Sequence, residues 1–274
     1  TVNALPLGGF VRLKGEQGES HATDSFAAKD AWVKSKILLA GVTMNLLIAY
    51  VIITGLLVVG MPPLLTSSLP SVGPIKPTSG STNLMIVEVT KDSVAQKAGL
   101  VAGSRIVSLG GVALTTPDQL REQVSAKAGS STTLVIDKSG EQSELKIVLP
   151  EKQGDKVLLG VSTVPETLQR YPWYAAPVAA ILVIASMIWA TLAAFGGLIV
   201  GLFTKAEVAQ TVTGPIGITV IFSQVLKFGL AYVLGLVASI SLSLAIINAL
   251  PLPALDGGRL LIVILQRLGV RITD

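Results

Sequence analysis

The chain has 274 residues, half of them apolar and only 14% charged, with 21 Lys and Arg against 17 Asp and Glu. A soluble domain of this size is about a quarter charged, so this composition, with its mean hydropathy of +0.68, excludes an ordinary water-soluble protein. No basic run is interleaved with aromatics, which argues against nucleic acid as a partner; the absence of Cys excludes disulfides, thiolate zinc ligands and thiol catalysis.

Charge is unevenly placed. Positions 88 to 170 carry ten basic and ten acidic residues, leaving 11 basic and 7 acidic for everything else, so the net +4 lies outside a balanced central block. Within residues 1–36, Leu5-Pro6-Leu7-Gly8-Gly9-Phe10-Val11-Arg12 sets a glycine pair among alternating apolar residues, the pattern of a strand whose edge can pair with an extended peptide. Residues 37–60 then run for 24 positions without a charge, enough for a transmembrane helix of about 20 residues. With 36 residues ahead of it and no small-residue cleavage pattern, this is not a signal peptide.

A soluble domain is predicted over 72–165. Its β-rich runs fall at 84–89, 133–136, 144–149 and 157–161, with short helices at 93–98 and 117–126. Pro117 suits a first helical turn, capped by Thr115 or Thr116. Residues 172–204 and 208–226 are again uncharged, but Gly196-Gly197 interrupts the first, and Gly214-Pro215 and Gly217 interrupt the second. Over 172–226 these patterns predict broken, partly interfacial helices. Residues 228–274 hold the last membrane helix, which Pro251 and Pro253 break just before Asp256.

Orientation follows from the basic residues. Arg12, Lys14, Lys29, Lys34 and Lys36 precede the first helix, and Arg259, Arg267 and Arg271 follow the last, so both flanks are expected in the cytoplasm and the central domain outside. The number of crossings is then even.

Asp256 is the informative side chain. An ionisable group at membrane depth costs several kcal/mol unless it is paired or holds a cation, which makes it a functional candidate; the plainer alternative is a snorkelling residue bridged to Arg259. Asn45 and Asn248 are amides in apolar helices, suited to helix–helix hydrogen bonds of about 0.6 kcal/mol or to a substrate backbone. His21, the one imidazole, lies in a polar stretch without an i+4 partner and reads as a solvated loop residue.

Two resemblances gather these features. The run Val89-Thr90-Lys91-Asp92-Ser93-Val94-Ala95-Gln96-Lys97-Ala98-Gly99-Leu100, followed by Gly103-Ser104-Arg105-Ile106 and Gly110-Gly111, resembles PDZ domains of bacterial proteases. Ser104 departs from the usual Asp, which implies a changed turn hydrogen bond. Asn248-x-x-Pro251-x-x-x-Leu255-Asp256-Gly257 resembles the second signature of the site-2 proteases, the intramembrane zinc metalloproteases. Ala40-Gly41-Val42-Thr43-Met44-Asn45 resembles that family's small-residue and Asn motif, with Val42 for a common Pro, and Gly214-Pro215-Ile216-Gly217-Ile218 resembles the segment before its final core helix. The order of segments is that of the regulator-of-sigma-E branch.

The resemblance implies a multi-pass α-helical membrane protein with an N-terminal membrane-associated β-hairpin and one inserted extracytoplasmic PDZ domain. It implies Zn2+ as cofactor with Asp256 as third protein ligand, and a substrate-binding side formed by Asn45, Asn248, Pro251 and the hairpin glycines Gly8 and Gly9. Partners would be transmembrane protein substrates such as anti-sigma factors or remnant signal peptides, membrane lipid, and peptide termini bound by the PDZ domain. The setting would be the inner (cytoplasmic) membrane, with the active site near its cytoplasmic side. The family's His-Glu-x-x-His, two zinc ligands and a base, does not occur in this sequence. The expectation is a chain truncated at both ends, inactive by itself; the rivals are a pseudoprotease and a non-catalytic membrane adaptor.

Overall fold

The computed structural model describes residues 25–26, 28–63, 69–138, 140–150, 159–204, 215–252 and 255–268. The predicted strand around Gly8 and Gly9, and His21, lie outside the described residues. The chain divides into two compact units, one of Thr1–Leu47 with Ser243–Asp274, the other of Ile48–Leu242.

The first long helix, α1, spans Ala31–Val59. It starts upstream of the predicted 37–60 because the absence of charge marks hydrocarbon, not helix: Lys34 and Lys36 are good helix formers, and the Lys34 amide already bonds the Asp30 carbonyl at 2.9 Å. Lys36 stands 5.1 Å from the centre of the exposed Trp32 ring, a pairing suited to a wet helix end. Exposed Met44, Leu47 and Val51 and buried Ala49, Ile53 and Leu57 make the helix apolar all round, as a helix in lipid should be.

The second unit contains the sheet. Its elements are β1 (Thr78–Val89), α2 (Val94–Lys97), β2 (Arg105–Leu109), β3 (Val112–Ala113), α3 (Pro117–Ala126), β4 (Ser131–Lys138), β5 (Glu141–Val148) and β6 (Val161–Arg170). The order is β5-β4-β2-β1-β6 with β3 beside β2, and every pairing is antiparallel. Leu84, Ile86, Ile106, Leu109 and Leu134 are fully buried, with Leu120 and Val124 of α3 packed over them. Helix α3 matches its predicted bounds and carries a full capping box, Thr116 with Gln119.

One strand departs from expectation. The sequence predicts a strand at 157–161, whose first two residues lie outside the described residues; β6 instead runs from Val161 to Arg170, past the predicted domain edge at 165. Its polar sequence and Pro165 do not read as strand. Proline is tolerated because β6 ends the sheet order and needs no second ladder.

Helix α4 (Ala176–Thr204) follows, then α5 (Pro215–Phe228), α6 (Leu230–Ala249) and α7 (Asp256–Arg267). The expected break at Gly196-Gly197 is absent; α4 runs through it. Two glycines cost about 2 kcal/mol of helix propensity, less than leaving backbone groups unpaired among apolar side chains. Among the described residues, three helices are long and apolar enough to cross a membrane, Ala31–Val59, Ala176–Leu198 and Leu230–Ala249. Within the second unit a seam of small residues, Ala176, Ala179, Ala180 and Val183, packs with Ile53, Leu57 and Ala238, the close approach that lipid-embedded helices use. Tyr171 joins strand to helix there: its amide bonds the Leu57 carbonyl at 2.7 Å and its hydroxyl donates to the Pro70 carbonyl.

Candidate functional site

The candidate site is the turn between α6 and α7, inside the first unit. Helix α6 stops at Ala249, two residues before Pro251, because a residue preceding proline avoids the helical region and proline offers no N–H. The chain then bends tightly: the Leu252 amide bonds the Leu250 carbonyl at 2.8 Å, and the Leu255 amide bonds the Leu252 carbonyl at 3.2 Å. Leu255 is extended (φ −101°, ψ 159°) and no side chain caps α7. The Arg259 amide returns to the Leu255 carbonyl at 3.2 Å, so the helix is established from its first residue, Asp256.

Gly257 explains why a glycine follows the aspartate. It is buried, and a Cβ there would overlap the carbonyl oxygens of Ala249 and Leu250 and stand 2.5 Å from the Ala249 carbonyl carbon. The carbonyl end of α6 thus abuts the backbone at the head of α7. Only a residue without a side chain fits, and the contact sets where the neighbouring carboxylate begins.

Asp256 is partly exposed in the first turn of α7. Its carboxyl oxygens are of the kind that can ligate a cation. Asn248, also partly exposed, lies one residue before the end of α6, and Pro251 is exposed in the turn that leads to Asp256. Asn45 is half-buried on α1 in the same unit.

A catalytic zinc takes three protein ligands and keeps a fourth position open. Among the described residues, no three His, Cys, Asp or Glu side chains come together. Asp256 fits one oxygen position of such a centre, and the described residues do not complete it.

Ser104 differs from expectation. It is 1% exposed, and its hydroxyl finds no hydrogen-bond partner, so the departure from Asp produces no new turn bond. Its backbone carbonyl instead accepts from the Ile86 amide at 2.9 Å. Sequence reasoning also missed a buried polar group in the second unit. Glu166, 2% exposed, accepts from Arg105 Nε and from Arg105 Nη2 at 3.0 Å, and from the Tyr232 hydroxyl at 2.9 Å. Its carboxylate holds the Arg105 guanidinium pKa above the usual value, chiefly through the hydrogen bond between them. The sole local hint was a lone acid in a strand whose one other charge is the terminal Arg170.

With this geometry in view, the comparisons agree on class. The model of peptidase family M50 matches residues 1–274, and the chain belongs to that family, the site-2 proteases. A Fusobacterium nucleatum protein provisionally named a zinc metalloprotease is 25% identical over 276 residues, covering 99% of this chain and 75% of its own. One of the same provisional name from Clostridium acetobutylicum is 26% identical, covering 100% and 74%. The regulator of sigma-E protease RseP of Escherichia coli is 29% identical over 201 residues, 71% of this chain and 44% of that one. Among solved structures, the PDZ domain of an SdrC-like protein from Listeria monocytogenes aligns with 30% of this chain and 86% of its own, at 18% identity and a TM-score of 0.27.

Proposed function

We propose that this chain is the core of an intramembrane zinc metalloprotease that cuts transmembrane signalling proteins, and that Asp256 is one of its zinc ligands. The observation that carries this reading is the M50 match across all 274 residues, coinciding with a carboxylate set by a side-chain-free contact at the head of α7. The remaining ligands and the catalytic base come from outside the described residues. Asn248 and Asn45 have the chemistry to hold a substrate backbone, since an amide both donates and accepts. A strand at Gly8 and Gly9, expected from the sequence alone, would offer an edge on which an unwound substrate helix can pair. Substrates on this reading are anti-sigma-factor-like proteins or remnant signal peptides.

The sheet domain is proposed to be a PDZ module outside the cytoplasm that selects substrates by exposed peptide termini. Two features support it: β6 ends the sheet order, with Met61 bridged to its outer side at Gln169, and α3 packs near it. The basic residues that flank the outer apolar runs, Arg12 to Lys36 on one side and Arg259 to Arg271 on the other, support a cytoplasmic (inner) membrane with both flanks inside. With three candidate spans among the described residues, an even number of crossings means either that α4 does not cross or that a second passage within 208–226 pairs with it. At 14 and 12 residues, α5 and α7 are each about 20 Å long, short of the roughly 30 Å hydrocarbon core.

The test is metal content and cleavage of a transmembrane peptide by the membrane-inserted protein carrying the family's His-Glu-x-x-His helix, with and without Asp256→Ala. Zinc bound and peptide cut only with Asp256 present supports the reading. Zinc and cleavage retained in the variant overturn the assignment of Asp256. Absence of both from the parent protein favours a non-catalytic membrane adaptor.

A further inference from the structure

Helix α6 faces a problem that lipid does not solve. It is apolar on all sides, with exposed Leu230, Val237, Ile240 and Leu244 and buried Ala238, Leu242 and Ala245. In hydrocarbon such a helix gains nothing by turning one face rather than another inward, so specific contacts must set its rotation. The second unit supplies one at the first turn of α6, where the Tyr232 hydroxyl meets Glu166 at 2.9 Å inside the sheet domain.

Three donors converge on this one carboxylate: Nε and Nη2 of Arg105 on β2, and the phenol of Tyr232. Around them lies an apolar patch of Met85, Val225 and Tyr232, flanked by Val87, Phe228 and Leu236. Apolar burial holds surfaces together without choosing an angle; a guanidinium fork on a carboxylate is directional. Beside it, a Cβ on Gly103 would overlap the Lys227 carbonyl oxygen, 2.7 Å from its carbon, so the sheet domain also touches the end of α5 backbone to backbone. A buried ion pair adds little net stability, because desolvation offsets its attraction. Geometry is what it supplies.

We propose that Arg105, Glu166 and Tyr232 form a polar anchor by which the sheet domain sets the rotation of α6, and that they are positioning residues for proteolysis. This rests on the protease reading, because α6 carries Asn248 in its last turn and the chain continues from it to Asp256. From Tyr232 to Asn248 the helix is uninterrupted and about 24 Å long, so a rotation released at one end is carried to the other.

The test uses the full membrane-inserted protein, and the cysteine-free sequence makes labelling direct. Spin labels at Glu122→Cys on α3 and Ile240→Cys on α6, both exposed, report the distance between sheet domain and helix without reference to activity. Tyr232→Phe, which keeps the ring and removes one hydroxyl, is compared with Arg105→Met/Glu166→Leu, which replaces the ion pair by apolar groups of similar volume. The expected result is one narrow distance in the parent, a broadened or doubled distribution in both variants, undiminished thermal stability in the double variant, and a loss of about fivefold in kcat with little change in KM. A distribution that stays narrow in both variants overturns the anchor. Broadening with kcat and KM both unchanged overturns the positioning role. If the parent protein cuts nothing, the protease reading fails, and the anchor stands or falls on the distances alone.

Discussion

Gly257 lies so close to the Ala249 carbonyl that no side chain fits between the end of α6 and the head of α7. The opposing atoms are backbone, which cannot swing aside as a flexible side chain would. Gly257→Ala should therefore destabilise the protein by about 3 kcal/mol, at the upper end of overpacking costs, or push α7 and its carboxylate out of place. Thermal unfolding in detergent reads the first outcome and zinc content of the protein with a complete donor set the second. A variant normal in both would show that the contact does not constrain the turn.

Gly196 and Gly197 make the opposite case. A Cβ at either would meet nothing within 4 Å, and both sit inside α4 with ordinary helical backbone. Gly196→Ala or Gly197→Ala should raise stability by up to about 1 kcal/mol through helix propensity. A clear loss of stability would mean that a partner helix rests on this stretch.

Ser104→Ala should leave the melting temperature unchanged or raise it slightly. The hydroxyl is buried and unbonded, and removing such a group relieves a desolvation cost of about 1–3 kcal/mol, set against a small loss of packing. A fall of several degrees would reveal a bridging water at this position.

Asp256→Ala, in the protein with a complete donor set, should lose zinc and cleavage while still inserting in the membrane. On the proposed reading one of three ligands is removed, and residues around a metal site orient its ligands without replacing them. Metal analysis after dialysis, beside a peptide-cleavage assay, checks both halves.

Residues 1–274 alone should hold far less than one zinc per chain and cut nothing. A single imidazole and Asp256 amount to two donors at most, even if His21 reached the carboxylate. Stoichiometric zinc in that polypeptide would place the catalytic centre elsewhere.

The candidate site was proposed from the sequence because its signals are local. Pro251 and Pro253 end a helix wherever they occur, and an aspartate following a long uncharged run identifies itself by cost alone. The family signature around Asn248 and Asp256 is contiguous for the same reason. What the glycine after Asp256 does was not legible: its reason is the position of the Ala249 and Leu250 carbonyls after the chain has turned.

The sequence by itself determined the environment and the local elements. Charge content made this a membrane chain, with its balanced block held apart as a sheet domain, and capping chemistry placed α3 to the residue. Tertiary structure alone decided that a polar strand containing Pro165 closes the sheet, because an edge position excuses the missing N–H. It also decided that Glu166 is buried, since its partners Arg105 and Tyr232 lie 61 and 66 residues away. Propensity and capping act over a few residues, whereas a buried charge depends on which distant side chains folding brings to meet it.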